Sequence, residues 1–315
     1  MRVVSLASGS SGNALLIEAG PRRRTKLLVD AGLNGRVLTA RLQSVDVHPA
    51  QLQGVLVTHE HIDHVAGLPA LMKCHAVPVI ADPLTYEAIE SSLASGFWRT
   101  DSGKLFSAKV EDDQFYLPLD SPNESAVRNG FQEGALKRVL ALPVGSRRII
   151  GDIEVVSFPI SHDAVAPCGY LLQAGGCRVC VITDSGEVTS AMLDMIQQAD
   201  LLILEANHDR ERLLRGPYPQ ALKQRILSST GHLSNDQTAD AILRTWRPDS
   251  VRWLWLAHLS RTNNTPSLAL SSVRARLLAA RANLAQLHLL ALSPDRGHVW
   301  DSTELWRMPS LWDML

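Results

Sequence analysis

The stretch His59-Glu60-His61-Ile62-Asp63-His64 follows directly on the strand-like run Gly54-Val55-Leu56-Val57-Thr58. Three imidazoles and a carboxylate this close together at the end of a buried strand carry a desolvation cost unless something binds them. A divalent metal ion is the natural partner. Neutral imidazole suits zinc, iron and manganese, and carboxylate oxygen adds tolerance for harder cations. A polar loop with incidental histidines is the bland alternative, but H-x-H-x-D-H after a strand is far more specific than a lone histidine pair.

This stretch resembles the signature of the metallo-β-lactamase superfamily. The resemblance implies three further ligands, each on a loop that follows a strand, and the chain offers all three. Residues 153–158 alternate as a strand and run into Pro159-Ile160-Ser161-His162-Asp163. Residues 177–182 lead into Thr183-Asp184-Ser185-Gly186, and residues 251–256 lead into Ala257-His258-Leu259-Ser260. Carried over position by position, the resemblance implies one metal held by His59, His61 and His162, a second held by Asp63, His64 and His258, and Asp184 as the bridge. Zinc or manganese would suit this set, with iron a further option. Two metals roughly 3.5–4 Å apart make a water molecule nucleophilic near neutral pH and clamp the attacking and leaving oxygens of a phosphodiester.

Several other stretches are similar to the YycJ (WalJ) branch of the superfamily. They are Ser8-Gly9-Ser10-Ser11-Gly12-Asn13, Leu28-Val29-Asp30-Ala31-Gly32-Leu33, the segment from His162 to Tyr170, Glu205-Ala206-Asn207-His208-Asp209, Gly231-His232-Leu233-Ser234-Asn235 and Leu259-Ser260-Arg261-Thr262-Asn263-Asn264. The similarity covers roughly residues 1–95 and 150–300. It implies a bacterial metal-dependent nuclease, usually described as a 5′ to 3′ exonuclease, with DNA favoured over RNA as the partner. The ligands alone would equally permit hydrolysis of a thioester, a lactone or a cyclic phosphodiester. A third reading makes the chain chiefly a partner-binding or regulatory module.

In phosphodiesterase relatives such as the transfer-RNA 3′-processing enzymes, a Glu and a later His cooperate in protonating the leaving oxygen. That likeness implies Glu205 and His232 as catalytic residues beside Asp63. A sugar alkoxide leaves poorly without a positioned acid. The alternative has Glu205 capping a helix and His232 holding a loop. For His208 the reading is a structural hydrogen bond, or orientation of a ligand from behind. Residues 8–13 read as a tight turn that could face the active-site edge, since they lack the Gly-Lys-Ser/Thr ending of a P-loop. Ser260, Arg261, Asn263 and Asn264 are candidate contacts to substrate phosphate, with a plain Asn/Thr turn as the alternative.

At 315 residues, 45% hydrophobic and 20% charged, the chain can bury a substantial core. No apolar run reaches membrane-spanning length, and residues 1–7 read as a first strand, not as a signal peptide. Cys74, Cys168, Cys177 and Cys180 read as reduced thiols, which together with the start of the chain suggests a cytoplasmic protein. Cys177 and Cys180, three apart on a strand, point to opposite faces and so do not share a ligand. The net charge of −1 gives no global attraction for nucleic acid. Arg210, Arg212, Arg215, Lys223, Arg225 and Arg261 could form a local basic surface, or simply the solvated faces of helices.

The element pattern is α/β. Strands are expected at 3–7, 15–19, 26–30, 55–58 and 77–81, with helices at 36–42, 65–73 and 84–93. The second half repeats this with strands at 153–158, 170–173, 179–183 and 201–205, helices at 189–198 and 237–246, then strand, helix and strand. That pattern fits the four-layer αβ/βα sandwich of the superfamily, two packed mixed sheets with helices outside, as one domain over 1–315. Residues 98–150 do not fit. They carry Glu111-Asp112-Asp113 with weak periodicity, and read as an insertion that is either a lid or a mobile segment.

Overall fold

The computed structural model describes residues 1–100, 105–107, 109–111, 114–116, 139–248, 250–294 and 297–306. The chain opens with an antiparallel meander of β1 (Arg2–Ala7), β2 (Ala14–Ala19) and β3 (Thr25–Val29). Helix α1 (Gly35–Gln43) leads to β4 (Gly54–Leu56); α2 (Ile62–Val65) and α3 (Leu68–His75) lead to β5 (Val79–Ala81), and both strands join in parallel. Helix α4 (Pro83–Ser95) is followed by the hairpins β6 (Phe97–Arg99) with β7 (Leu105–Ser107) and β8 (Lys109–Glu111) with β9 (Gln114–Tyr116). Strand β10 (Val139–Ala141) then lies parallel to β5.

The second half begins with β11 (Arg147–Ile150), β12 (Ile153–Pro159), β13 (Cys168–Ala174) and β14 (Cys177–Ile182), all antiparallel neighbours. Helix α5 (Ser190–Ile196) leads to β15 (Leu201–Glu205), and α6 (Arg210–Arg215), α7 (Gln220–Ile226) and α8 (Asn235–Arg244) lead to β16 (Arg252–Ala257). Helix α9 (Pro266–Ala279) leads to β17 (Leu287–Ala291), and the last three strands pair in parallel. Strand β18 (His298–Asp301) returns to lie antiparallel to β1. The result is two seven-stranded sheets, ordered β10-β5-β4-β3-β2-β1-β18 and β11-β12-β13-β14-β15-β16-β17.

Period-two alternation sorts the strand side chains into layers. Leu15, Ile17, Leu27 and Val29 of the first sheet meet Val179, Val181, Leu201 and Ile203 of the second in one core between the sheets. Leu16 and Leu28 face the other way, onto the side packed by Leu38, Leu42, Leu68 and Leu71 of α1 and α3. Cys180, Leu202 and Leu204 likewise meet Met192, Ile196, Ile242 and Val273 of α5, α8 and α9. Strands buried on both faces read as continuous apolar runs, which is why the sequence marks them so clearly. The molecule is thus a four-layer αβ/βα sandwich. Cys177 lies in the inter-sheet core and Cys180 in the outer one. None of the four cysteines forms a disulfide, and burial pushes the Cys168 and Cys177 thiols up to about 12.

Some features differ from the pattern expected of the sequence. The helix expected over 65–73 is broken at Gly67, where a Cβ would stand 2.6 Å from the Leu33 carbonyl oxygen. The preceding turn, α2, is therefore a separate piece carrying Asp63 and His64. Residues 139–150 are not insertion: β10 and β11 are edge strands, one in each sheet, and carry the chain across between them. Edge strands this short, with Arg147, Arg148 and Ile149 all exposed, leave no alternation to read. Of the remaining expected insertion, residues 101–104, 108, 112–113 and 117–138 lie outside the described residues. Among the described residues no helix is long and apolar enough to cross a membrane.

Candidate metal centre and cleft

Strands β4, β12, β14, β15 and β16 end at one edge of the sandwich, and the residues after each of them converge there. His59 and His61 follow β4, with Asp63 and His64 in α2; His162 follows β12, Asp184 follows β14, Glu205 ends β15 and His258 follows β16. His59, His61, His64, Asp184, Glu205 and His258 are fully buried, and Asp63 and His162 are each 5% exposed. Asp184 and His258 hold positive φ angles of 56° and 53°, as does Asp30 at 60°. Non-glycine residues in this region of backbone space are uncommon and gather where a site over-determines the local structure.

The turn that carries the signature is pinned by its backbone. Asn13 N–H donates to the Asp63 carbonyl at 2.8 Å, and Ala31 N–H donates to that of His64 at 2.8 Å. A Cβ on Gly32 would fall 1.6 Å from the Asp63 carbonyl oxygen, so only glycine permits this approach. The loop at residues 8–13 faces the site edge: Ser8 Oγ accepts from the His258 N–H at 2.9 Å, and Asn13 Nδ2 lies 3.1 Å from His64 Nε2.

Donor atoms of His59, His61 and His162 lie within 4.8 Å of one another, as do those of Asp63, His64 and His258; a third set, His59, His64 and Asp184, joins the two. The fit to a cation is testable on what surrounds these atoms. His162 Nδ1 donates to the carbonyls of Thr230 and Gly231 at 3.1 and 3.2 Å, so its Nε2 carries the lone pair and faces His61 Nδ1 at 3.4 Å. His64 Nδ1 bonds Asp30 Oδ2 at 2.8 Å, turning Nε2 inward. His59 Nε2 has no hydrogen-bond partner although fully buried, and the equally buried Asp184 carboxylate lies 3.1 Å from His64 Nε2 and from His258 Nδ1 without a well-directed hydrogen bond to either. Orphaned lone pairs of this kind, clustered in a dry site, fit divalent cations.

The charges agree. Burial, with the charges of His64 and His61, holds His59 well below the usual imidazole range. Burial alone would lower His64 too, but the carboxylates of Asp30, Asp184 and Asp63 outweigh it and raise its pKa well above that range. Burial opposes ionisation of Asp184, yet His258 and His64 keep it well below the usual carboxylate range. Behind the cluster, Asp30 accepts from the Thr58 N–H at 2.9 Å and the Thr58 hydroxyl at 2.9 Å besides His64. Its carboxylate fixes the His64 tautomer. Asp30→Asn would present an amide donor to Nδ1 and reverse the tautomer. It is expected to weaken metal binding about 10- to 100-fold, the usual scale for a lost carboxylate behind a histidine ligand. Competition with a chromogenic chelator measures this, and an unchanged affinity would remove Asp30 from that role.

A family model described as the metallo-beta-lactamase superfamily matches residues 7–194. The chain belongs to the metallo-β-lactamase superfamily. It is 36% identical over 264 residues to Exodeoxyribonuclease WalJ of Streptococcus pneumoniae, covering 84% of this chain and 83% of that one. Exodeoxyribonuclease YycJ of Bacillus anthracis is 35% identical over 268 residues, covering 85% and 86%. Zn(2+)-bound PqqB from Methylobacterium extorquens shares the fold with a TM-score of 0.61 at 16% identity, over 96% of this chain and 100% of that one. As in the rest of the superfamily, the donor set is that of a divalent-metal site.

Beside the cluster opens a cleft of about 250 Å³ lined by Ser10, Ile62, Asp63, Thr100, Asn207, Tyr218, Leu222, Ile226, His232 and Ser260. Glu205 does not reach it. Its Oε1 accepts from His232 Nδ1 at 2.8 Å and His258 Nδ1 at 2.9 Å, and its Oε2 from the N–H groups of Ser185 and Leu233 at 2.9 and 3.1 Å. Burial opposes its ionisation, but the His232 charge and hydrogen bond outweigh that and lower its pKa. Glu205 caps no helix. It orients two imidazoles, one in each of the cleft and the donor cluster, and turns the Nε2 edge of His232 toward the cleft.

The other sequence candidates divide. Ser260 lines the cleft. Arg261 is exposed and donates to Ser11 Oγ at 3.0 Å. Asn264, buried, donates to the Ala206 carbonyl at 2.8 Å and pairs with Asn235, so it ties the loop to β15 and α8 instead of meeting a ligand. Asn263 is 1% exposed and does not line the cleft either. Of the basic residues, Arg225 forms a bidentate pair with Asp163 at 2.8 Å, and Lys223 is buried with Nζ on the Leu214 carbonyl at 2.7 Å. Arg215 pairs with Glu211, while Arg210 and Arg212 are exposed. The His208 ring makes no hydrogen bond despite 1% exposure; only its backbone does, accepting from Asn235 N–H at 2.9 Å. Burial and the nearby His232 charge lower its pKa to about 4, so the ring stays neutral. Sequence reasoning missed Asp30 as a buttress and Tyr218 in the cleft wall.

Proposed function

We propose that this chain is a metal-dependent phosphodiesterase that degrades DNA from an end, with two divalent ions, zinc or manganese, held at the donor cluster. His59, His61 and His162 would hold one ion, Asp63, His64 and His258 the other, and Asp184 would bridge them. Bound there, the ions would supply an activated water and neutralise phosphate charge. The observation that carries the reading is His232, held by Glu205 and facing the same cleft as Asp63. A thiolate leaves without a proton, so a thioester hydrolase needs no second acid beside its metals, whereas a departing sugar oxygen does. In this reading His232 gives its proton to the departing oxygen as the phosphorus–oxygen bond breaks. Glu205 keeps the ring oriented and stabilises its protonated form. The names of the relatives at 35–36% identity support the same substrate.

End-labelled single- and double-stranded DNA, RNA and bis-p-nitrophenyl phosphate, each incubated with zinc- or manganese-loaded protein, test the reading. Stepwise shortening of DNA from one end is the expected result, with loss on chelation. Intact nucleic acid alongside turnover of a thioester or lactone would replace it by the small-molecule reading. Inactivity toward every substrate would favour a binding module.

A further inference from the structure

The cleft has a mixed polar and apolar lining. Its polar lining is Asp63, His232, Asn207, Ser10, Ser260 and Thr100; its apolar lining is Ile62 together with Tyr218, Leu222 and Ile226, which come from one short segment. Leu222 and Ile226, four apart on α7, put one side of that helix on the cleft, and Tyr218 stands in the segment that leads into it. Leu222 is partly exposed and Ile226 buried at its base. The ring of Tyr218 is presented from a stiff segment. Pro217 precedes it, and Pro219 follows it, restricting Tyr218 to extended backbone. Below, Gly216 packs so closely that a Cβ would stand 3.0 Å from Asn263 Oδ1 and 2.8 Å from the Arg212 carbonyl oxygen. The Asp209 N–H on the Asn263 carbonyl and Lys223 Nζ on the Leu214 carbonyl fasten both ends of this bend. Asn263, a residue whose position suggested phosphate contact, thus supports the segment that carries Tyr218.

Resting on the nuclease reading, we infer that Tyr218, with Leu222 and Ile226, forms the subsite for the base of the terminal nucleotide at the degraded end. His232 lines the same cleft, so the nucleoside whose sugar oxygen departs lies beside these side chains. A cleft of about 250 Å³ is at the small end for ligand pockets. It suits one unpaired nucleotide and excludes a base pair. An aromatic face accepts every base, since stacking uses the π-face common to all four. Among the described residues no arginine, lysine or glutamate lines the cleft, and stacking on the Tyr218 ring does not depend on which base is bound. The subsite therefore selects a frayed or single-stranded end without sequence preference.

The test combines two deletions, one on each partner. Metal-loaded wild type, Tyr218→Ala and Tyr218→Phe are compared on single-stranded oligonucleotides ending in a normal nucleotide or in an abasic tetrahydrofuran residue at the degraded end. Tyr218→Ala should raise KM about 10- to 100-fold on the normal end, the scale of a lost base–aromatic stack, and Tyr218→Phe should restore it. The abasic end should raise KM by a similar factor for wild type and barely at all for Tyr218→Ala, because both changes remove one contact. Metal content, measured in parallel, should stay constant. Penalties that multiply, or a normal KM in Tyr218→Ala, would overturn the subsite while leaving the nuclease reading in place. Wild type that cleaves no oligonucleotide would overturn both.

Discussion

Asp184→Asn is expected to bring bound metal down from about two ions per chain to one or fewer, and to lower DNA hydrolysis by more than about 10²-fold. The scale follows from comparison, since losing a group that only orients a ligand typically costs 10–100-fold and Asp184 would itself be the ligand. Asparagine is the informative replacement because residue 184 holds a φ of 56°. Asn tolerates that left-handed backbone and keeps the side-chain volume, whereas Ala adds strain. What the variant removes is the charge. The Asp184 carboxylate is fully buried, 3.1 Å from both His64 Nε2 and His258 Nδ1, and lies between the two donor groups. Neutralising it would leave two cations to repel each other across a site of low dielectric. Metal analysis after reconstitution, together with thermal melting to verify folding, decides the matter. A folded Asp184→Asn protein that retains two ions and full activity would mean that Asp184 is not the bridge.

Most of the layer architecture was legible because doubly buried strands leave apolar runs that few other structures produce. The runs at 15–17, 179–182 and 201–204 are of this kind, and each sits in the sandwich where its pattern implied. The edge strands β10, β11 and β18 were not legible, since an edge strand needs only a partner on one side and three or four residues of any composition. His59 to His64 could be read because four donors fall within six residues and follow a buried strand. Asp30 could not, since its role depends on reaching Thr58 and His64 through a parallel pairing of β3 and β4. Asn263 and Asn264 show the complementary limit. An Asn beside a candidate ligand has the same donors and acceptor whether it meets a phosphate or a carbonyl. The partner is a tertiary fact: for Asn264 it is the Ala206 carbonyl and Asn235. Tyr218 carried no motif at all, and acquires meaning only from the cleft it lines.

His232→Ala is expected to leave metal content nearly unchanged while slowing DNA hydrolysis by roughly 10²–10⁴-fold, the usual contribution of a general acid. The reason lies in the leaving group. A sugar oxygen departs as an alkoxide unless a proton reaches it, whereas p-nitrophenolate departs without one. The loss should therefore shrink sharply on bis-p-nitrophenyl phosphate. Equal losses on both substrates would sink the acid role, and a drop in bound metal would move His232 among the ligands, a possibility kept open by its place in one donor group with Asp184 and His258. Glu205→Gln sharpens the contrast. Its Oε1 serves both His232 and His258, so this variant should weaken metal binding as well as acid catalysis. The two replacements then separate by metal content: an acid acting at the cleft leaves the ions in place, and the carboxylate that orients both imidazoles does not.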